Sequence, residues 1–138
     1  MKTIAQVKLT NPQDLADVKR GQMEERMVRQ VSQKFSVDRS ACMLHLNETI
    51  QEILQLPLLG MKKSTTATGQ GMELPMVGPV LVTVGDRFTH CDALILPGDA
   101  EPLLGAIPLE GMDLVVHPAR QELTGNPAHG GEWVFTLK

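Results

Sequence analysis

Residues 35–44 read Phe35-Ser36-Val37-Asp38-Arg39-Ser40-Ala41-Cys42-Met43-Leu44. The apolar types before Asp38 favour a strand that ends at this carboxylate. Asp and Ser favour turns, so we expect the chain to turn over Asp38–Ser40 and to enter a second short strand over Cys42–Leu46. Considered alone, Asp38 would more often be a turn residue than a catalyst, because Asp is common at such corners.

The first half of the chain is predicted to combine strands with short helices. Alternation of apolar and polar residues predicts strands over Ile4–Leu9 and Val28–Val37. Asn11 is typical of a helix start, so a helix of two to three turns is predicted after it. A second helix, of about three turns, is predicted between Asn47 and Pro57, since proline ends a helix.

The second half is predicted to be rich in strands. Glycine-containing turns at Thr68-Gly69-Gln70-Gly71 and Gly85-Asp86 predict two hairpins, formed by the strand pairs Met61–Thr68 with Met72–Val77 and Pro79–Val84 with Arg87–Leu96. Short pieces follow at Leu103–Gly105 (strand), Ala106–Gly111 (one helical turn) and Leu114–Val116 (strand). The pattern is typical of an all-β, mainly β domain over residues 1–138, barrel-like and with one or two short helices.

The composition disfavours several classes of function. The net charge of −3 and the 3% aromatic content give no basic stripe and few stacking platforms, so no nucleic-acid partner is expected. No apolar run approaches the length of a membrane span, so no membrane partner is expected. The first residues alternate rather than forming a continuous apolar stretch, which argues against a signal peptide and predicts a cytoplasmic location.

The two cysteines, Cys42 and Cys91, do not make a disulfide framework and are predicted to be reduced and mostly buried. A zinc site made of these thiols with His45 and His90 can be imagined. Strand alternation, however, would point Cys42 and His45 to opposite faces, and His90 and Cys91 likewise. Ordinary packing is therefore preferred, and no metal is predicted.

Several segments together resemble the retropepsin-like aspartic proteases of the bacterial single-domain type. The family's first motif reads Asp-Thr-Gly-Ala or Asp-Ser-Gly-Ala, and this chain has Asp38-Arg39-Ser40-Ala41. Four further segments carry the resemblance: Leu44–Glu48, Val77–Val80, Cys91–Pro97 and Leu103–Leu109 with Met112–Val116 after it. The resemblance covers nearly the whole chain and implies an acid-protease barrel, which is half of a pepsin-type bilobal fold.

The resemblance also implies a mechanism and an assembly. The family works as a homodimer, without a cofactor, on peptide or protein substrates. Asp38 would be the catalytic carboxylate, paired with its counterpart from the second chain, and Arg39, Ser40 and Ala41 would complete the active-site loop. The turn Thr68-Gly69-Gln70-Gly71 would be the flap that closes over the peptide. Leu103, Leu104 and Gly105 would support the loop, with Gly105 in tight backbone contact beneath it. Leu103, Leu104 and Ile107 are expected in the core with or without the resemblance.

Two hypotheses follow from the departures at Arg39 and Ser40. The first is an aspartic-type endopeptidase that cleaves peptide bonds with a water activated by the Asp38 dyad. The second is a catalytically impaired dimer that binds extended peptides or a protein partner. A guanidinium near the carboxylates would lower their pKa, and Ser40 adds a side chain where the family has glycine.

Overall fold

The computed structural model describes residues 2–65, 68–117 and 119–134, and these residues form a mainly β structure. The strands are β1 (Thr3–Thr10), β2 (Gln30–Val37), β3 (Leu44–Asn47), β4 (Leu58–Thr65), β5 (Gly71–Val84), β6 (Arg87–Leu96), β7 (Leu103–Leu104), β8 (Leu114–His117) and β9 (Glu122–Gly125). The helices are α1 (Pro12–Lys19), α2 (Glu48–Leu54) and α3 (Ala106–Gly111). No helix within the described ranges is long and apolar enough to cross a membrane.

Seven strands form one mixed sheet, in the order β1-β2-β7-β3-β6-β5-β4, and β8 and β9 form a separate antiparallel pair. An additional pairing joins β1 to β5. A continuous series of strand pairings therefore runs from β1 through β2, β7, β3, β6 and β5 back to β1. The two-residue strand β7 is parallel to β2 on one side and antiparallel to β3 on the other. This places the end of β2, and hence Asp38, beside the segment that enters α3.

The core lies on one face of these strands. In β1 the residues Ala5, Val7 and Leu9 are buried and alternate with exposed residues, as the sequence predicts. The largest fully buried side chains are Phe35, Leu9, Leu44, Leu46, Ile50, Leu54, Leu104, Leu109 and Met112. Aliphatic side chains thus make nearly all of the core, and burying each of them contributes about 1.5–3 kcal/mol.

Helix α1 begins as predicted, because Asn11 caps it. The Asn11 carbonyl Oδ1 accepts from the amides of Gln13 (3.0 Å) and Asp14 (3.3 Å), and Pro12 occupies the first helical position. The same side chain donates from Nδ2 to the carbonyl oxygen of Leu54 (2.8 Å). Asn11 therefore joins the start of α1 to the end of α2.

The prediction for α2 is wrong in length. The helix covers Glu48–Leu54, about two turns, and ends before Pro57 because Gln55 adopts a left-handed conformation (φ 51°). The Gln51 side chain then bonds to both the N–H and the C=O of Leu56, which satisfies the backbone beyond the helix end. A glutamine in that conformation has no sequence signal comparable with glycine.

Three further features of the secondary structure differ from the prediction. The segments predicted as Met72–Val77 and Pro79–Val84 form one strand, β5, whose register shifts between Val77 and Val80. Strand β4 begins at Leu58 rather than at Met61, and residues 66 and 67 of its predicted span lie outside the described residues. The described α-helices are three, one more than the upper bound of the prediction, since Ala106–Gly111, expected as one turn, forms a helix of six residues; Glu25–Met27 and Pro127–His129 add two short 3-10 helices.

Replacing Asp14 by asparagine tests a buried ion pair. Its carboxylate is 1% exposed and accepts from the backbone N–H, Nε and Nη2 of Arg29 (2.8–2.9 Å), and these bonds hold its pKa below the usual value. We expect Asp14→Asn to lower the free energy of unfolding at neutral pH by about 1–3 kcal/mol.

A lowered pKa in the folded state stabilises above the unfolded-state pKa of about 3.9 and ceases to do so as pH falls through the folded value. The difference between Asp14→Asn and the parent should therefore shrink below about pH 4. Urea unfolding across this pH range measures it, with Asp99→Asn in an exposed turn as control. A pH-independent difference would contradict the ionic explanation.

Candidate functional site

Asp38 lies directly after β2, where the sequence places it, and its backbone is fixed on both sides. Its amide N–H donates to the carbonyl oxygen of Leu104 (3.1 Å), and its own carbonyl oxygen accepts from the amide of Ala41 (3.1 Å). The first bond continues the parallel pairing of β2 with β7, and the second closes the turn predicted over residues 38–40. Asp38 is therefore presented from a rigid corner at a strand end.

Ser40 binds the Asp38 carboxylate. The Asp38 Oδ1 atom accepts from the Ser40 amide (2.9 Å) and from the Ser40 hydroxyl (2.5 Å). These two bonds are the main reason that the pKa of Asp38 lies below its usual value, since both favour the charged form; smaller contributions come from Ala41 and His45. From the sequence, a lowered pKa is expected from the Arg39 guanidinium. Arg39 is exposed at this loop, and the described contacts make Ser40 the cause instead.

Residues 104–107 lie tightly against the Asp38 loop. The amides of Ala106 and Ile107 donate to the carbonyl oxygens of Ala41 (2.8 Å) and Cys42 (2.9 Å). A Cβ atom on Gly105 would collide with the carbonyl oxygen of Met43 and would lie 2.7 Å from that of Ala41. The φ of Gly105 is −88°, which any residue adopts, so the glycine is required by space alone. The predicted tight backbone contact at Gly105 is confirmed.

The apolar residues around Gly105 are not all buried, although the sequence predicts them in the core. Leu104 is fully buried, whereas Leu103 is partly exposed and lines a cleft. Ile107, expected in the core, is 46% exposed, because α3 turns Pro108 and Leu109 inward instead.

Asp38 and Arg39 line an open cleft of about 650 Å³. The remaining lining residues are Lys2, Thr3, Ser36, Val37, Glu101, Leu103, Val116 and Gln121. Glu101 carries a second carboxylate into this cleft, where it accepts hydrogen bonds from the Ser36 hydroxyl and from the Lys2 ammonium (2.6 Å). Glu101 is not predicted as a site residue from the sequence, because no local pattern marks its side chain as part of the cleft.

His45 of β3 is the second group missed as a neighbour of Asp38, since the sequence suggested it only as a metal ligand. In β3 it lies opposite Leu103 of β7, and its interaction with the Asp38 carboxylate raises its pKa. Burial outweighs that interaction, so the pKa of His45 is lowered overall. A neutral imidazole therefore lies beside a charged carboxylate at neutral pH.

The predicted flap is a hairpin tip. Thr68, Gly69 and Gln70 precede β5, Gly71 is its first residue, and Gly69 has a left-handed φ of 82° that favours glycine. None of these four residues is among those lining the Asp38 cleft within the described chain. The hairpin is thus where the sequence predicts it, and its role as a flap stays a prediction.

The cysteine prediction is wrong for Cys42, which is exposed because it precedes β3 instead of lying within it. Cys91 is partly buried, and burial raises the pKa of its thiol to about 12. In the described part of the chain, no three His, Cys, Asp or Glu side chains come together as metal ligands.

A polar cluster far along the sequence also escaped prediction. Arg87 is buried and donates to the carbonyl oxygens of Met112 (3.0 Å), Asp113 (2.9 Å) and Gly131. The Asp113 carboxylate accepts from Asn126 and contacts His129 Nδ1 at 2.5 Å; the His129 contact is the main reason that its pKa is lowered. The cluster fastens the segment after β9 to β6 and α3, which is a structural role.

Comparison with known proteins adds no identification. The chain matches no protein-family model, and no curated protein matches it significantly. Its function is therefore inferred from the Asp38 loop and the cleft around it.

Replacing Gly105 by alanine tests the contact beneath the Asp38 loop. Because the new methyl group would meet backbone oxygens of residues 41 and 43, which cannot rotate away, we expect a loss of about 1–3 kcal/mol in the free energy of unfolding. Gly60→Ala is the matched control, since a Cβ there meets nothing within 4 Å. Denaturant titrations of both variants measure the difference, and equal stabilities would refute the steric role of Gly105.

Proposed function

We propose that the chain is an aspartic-type endopeptidase of retropepsin type, with the half-barrel fold of that family, that acts as a homodimer on extended peptide or protein segments. The observation that carries the proposal is the fixed corner at Asp38. One carboxylate stands at a strand end, its loop is bonded to residues 104–107, and a glycine is required beneath it. That combination supplies the rigidity that a catalytic carboxylate needs.

In the proposed dimer, two Asp38 side chains meet across a two-fold axis, because one chain supplies one such loop. Two adjacent carboxylates share a proton, since both cannot ionise at close range. The charged carboxylate takes a proton from a water whose oxygen bonds to the peptide carbonyl carbon, and the neutral one donates a hydrogen bond to the carbonyl oxygen. The tetrahedral intermediate then collapses, the C–N bond breaks, and the amine nitrogen takes up the proton that the first carboxylate received from the water.

The cleft supports this proposal through its shape and polarity. It is open and about 650 Å³ in volume, and it presents Asp38 beside the apolar side chains of Val37, Leu103 and Val116. An extended peptide needs such a mixed surface, with apolar pockets for side chains and main-chain groups for hydrogen bonds.

A second candidate function is peptide binding without cleavage, and Ser40 favours it. Its two hydrogen bonds to Asp38 stabilise the charged carboxylate. A pair of carboxylates that both stay charged lacks the proton that polarises the substrate carbonyl. In this alternative the dimer would hold a peptide over the same loop and release it intact.

Replacing Asp38 by asparagine tests whether this carboxylate performs the chemistry. An amide cannot take a proton from water, so we expect Asp38→Asn to lower the cleavage rate in a peptide-library digestion by at least a hundredfold. Asp86→Asn, in the exposed β5–β6 turn, should cleave like the parent chain. Residual cleavage by Asp38→Asn at the parent rate would show that another group does the chemistry.

Restoring the family motif tests the effect of Arg39 and Ser40. The double change Arg39→Thr with Ser40→Gly removes a positive charge and the hydroxyl bond to Asp38 Oδ1, so the pKa of Asp38 should rise towards its usual value. We expect faster cleavage than in the parent, with smaller gains for each single change because both residues shape one loop. Digestions are compared at equal dimer concentration, which sedimentation establishes.

If parent and restored chains cleave equally fast, the loop tolerates Arg39 and Ser40. If both dimerise and neither cleaves, peptide binding becomes the better assignment. A chain of about 15 kDa that stays monomeric at micromolar concentration would refute both functions, since each requires two loops.

A further inference from the structure

Strand β4 carries a free edge of the seven-stranded sheet. It is last in the strand order, and within the described residues it pairs only with β5. The strand at the other end of the order, β1, is also paired with β5, so its outer side is partly used. No other described strand lies along the second side of the eight-residue strand Leu58–Thr65, so its main-chain N–H and C=O groups are presented at the edge of the sheet.

The β4 edge is also unusually apolar for an exposed strand. Leu58 is 66% exposed, Leu59 is 49% exposed and Met61 is 56% exposed. A bulge interrupts the pairing with β5 between Leu58 and Gly60, and beyond it the consecutive residues Met61 and Lys62 are both exposed. Since consecutive residues of a regular strand point to opposite faces, β4 is uncovered on both faces as well as at its edge. Long, apolar edge strands are sites at which another strand adds.

Two adjacent lysines give this edge a positive charge. Lys62 and Lys63 are exposed, and across the ladder Lys62 lies opposite Leu74 whereas Lys63 lies opposite Glu73. No acidic residue occurs within β4, and the described ion pairs include neither lysine. On a chain whose net charge is −3, this is a local positive site.

The lysines disfavour pairing of β4 with another copy of itself. In a full-length antiparallel pair, Leu58 of one copy would lie opposite Thr65 of the other, and Met61 opposite Lys62. Each face would then carry Lys62 of one copy diagonally beside Lys63 of the other, and like charges at such spacing repel. The same two lysines would attract a strand that has carboxylates at these positions.

We propose that β4 binds an extended segment of a partner protein by strand addition, and that this segment carries Asp or Glu opposite Lys62 and Lys63 and β-branched or apolar residues elsewhere. Main-chain bonds along Leu58–Thr65 give affinity, and the lysines select the acidic sequence. The site is separate from the Asp38 cleft, since none of its residues lines that cleft. It would hold a protein partner whether or not Asp38 cleaves peptides.

The test uses a fluorescent eight-residue peptide of valine and threonine with glutamates at its third and fourth positions, and a matched peptide with two lysines there instead. Antiparallel pairing with the whole of Leu58–Thr65 places these two positions opposite Lys63 and Lys62. The parent chain should bind the glutamate peptide more tightly. Lys62→Glu with Lys63→Glu should weaken that binding roughly tenfold and should make the lysine peptide the tighter ligand, since each cross-strand pair changes sign. Lys8→Glu with Lys34→Glu, at exposed positions of β1 and β2, changes the net charge equally and should preserve the parent preference.

Hydrogen exchange distinguishes strand addition from side-chain attraction. Amides of β4 should exchange more slowly with the glutamate peptide bound, in the parent and in Asp38→Asn alike. Absence of binding, or binding with unchanged exchange in β4, would overturn the proposal. Slowing confined to the Asp38 loop, or loss of binding in Asp38→Asn, would overturn it too and would place the peptide in the cleft.

Discussion

The close contact between residues 104–107 and the Asp38 loop is the constraint on which the site depends. Two backbone hydrogen bonds to residues 41 and 42 bring the two segments so close together that Gly105 has no room for a Cβ atom. The contact joins segments more than sixty residues apart, and it sets both the direction in which Asp38 leaves β2 and the start of α3. Backbone hydrogen bonds fix the position of the loop, and the Ser40 hydroxyl and amide then hold the Asp38 carboxylate within it.

Much of the fold could be predicted because local signals and burial agree. The alternation in β1, the Asn11 cap and the glycine turns at 69 and 85 each have a local physical cause, and the corresponding elements are present. Prediction failed where tertiary contacts decide. Gln55 ends α2 through a conformation that glutamine rarely adopts, and Ile107 is exposed because Pro108 and Leu109 fill the core below it.

The central residues of the candidate site could be predicted from the sequence, whereas the residues around them could not. Asp38 and Gly105 could be identified from short motifs. Glu101 and His45 could not, since pairing of β2, β7 and β3 places Glu101 in the same cleft as Asp38 and lets His45 interact with its carboxylate, and no local pattern reveals that pairing. The role of Ser40 was also misjudged. The sequence treats it as lost backbone freedom, whereas the structure makes it the main hydrogen-bond donor to Asp38.

Asn11 has a consequence for how the chain acquires its shape. Its side-chain oxygen caps α1, and its side-chain Nδ2 donates to the last carbonyl oxygen of α2, 43 residues away. Each helix has fewer than nine residues, a length that is marginal in isolation. The cap of α1 is local, whereas the last carbonyl of α2 is satisfied only when Asn11 lies beside it, so the end of α2 depends on a segment 43 residues earlier in the chain.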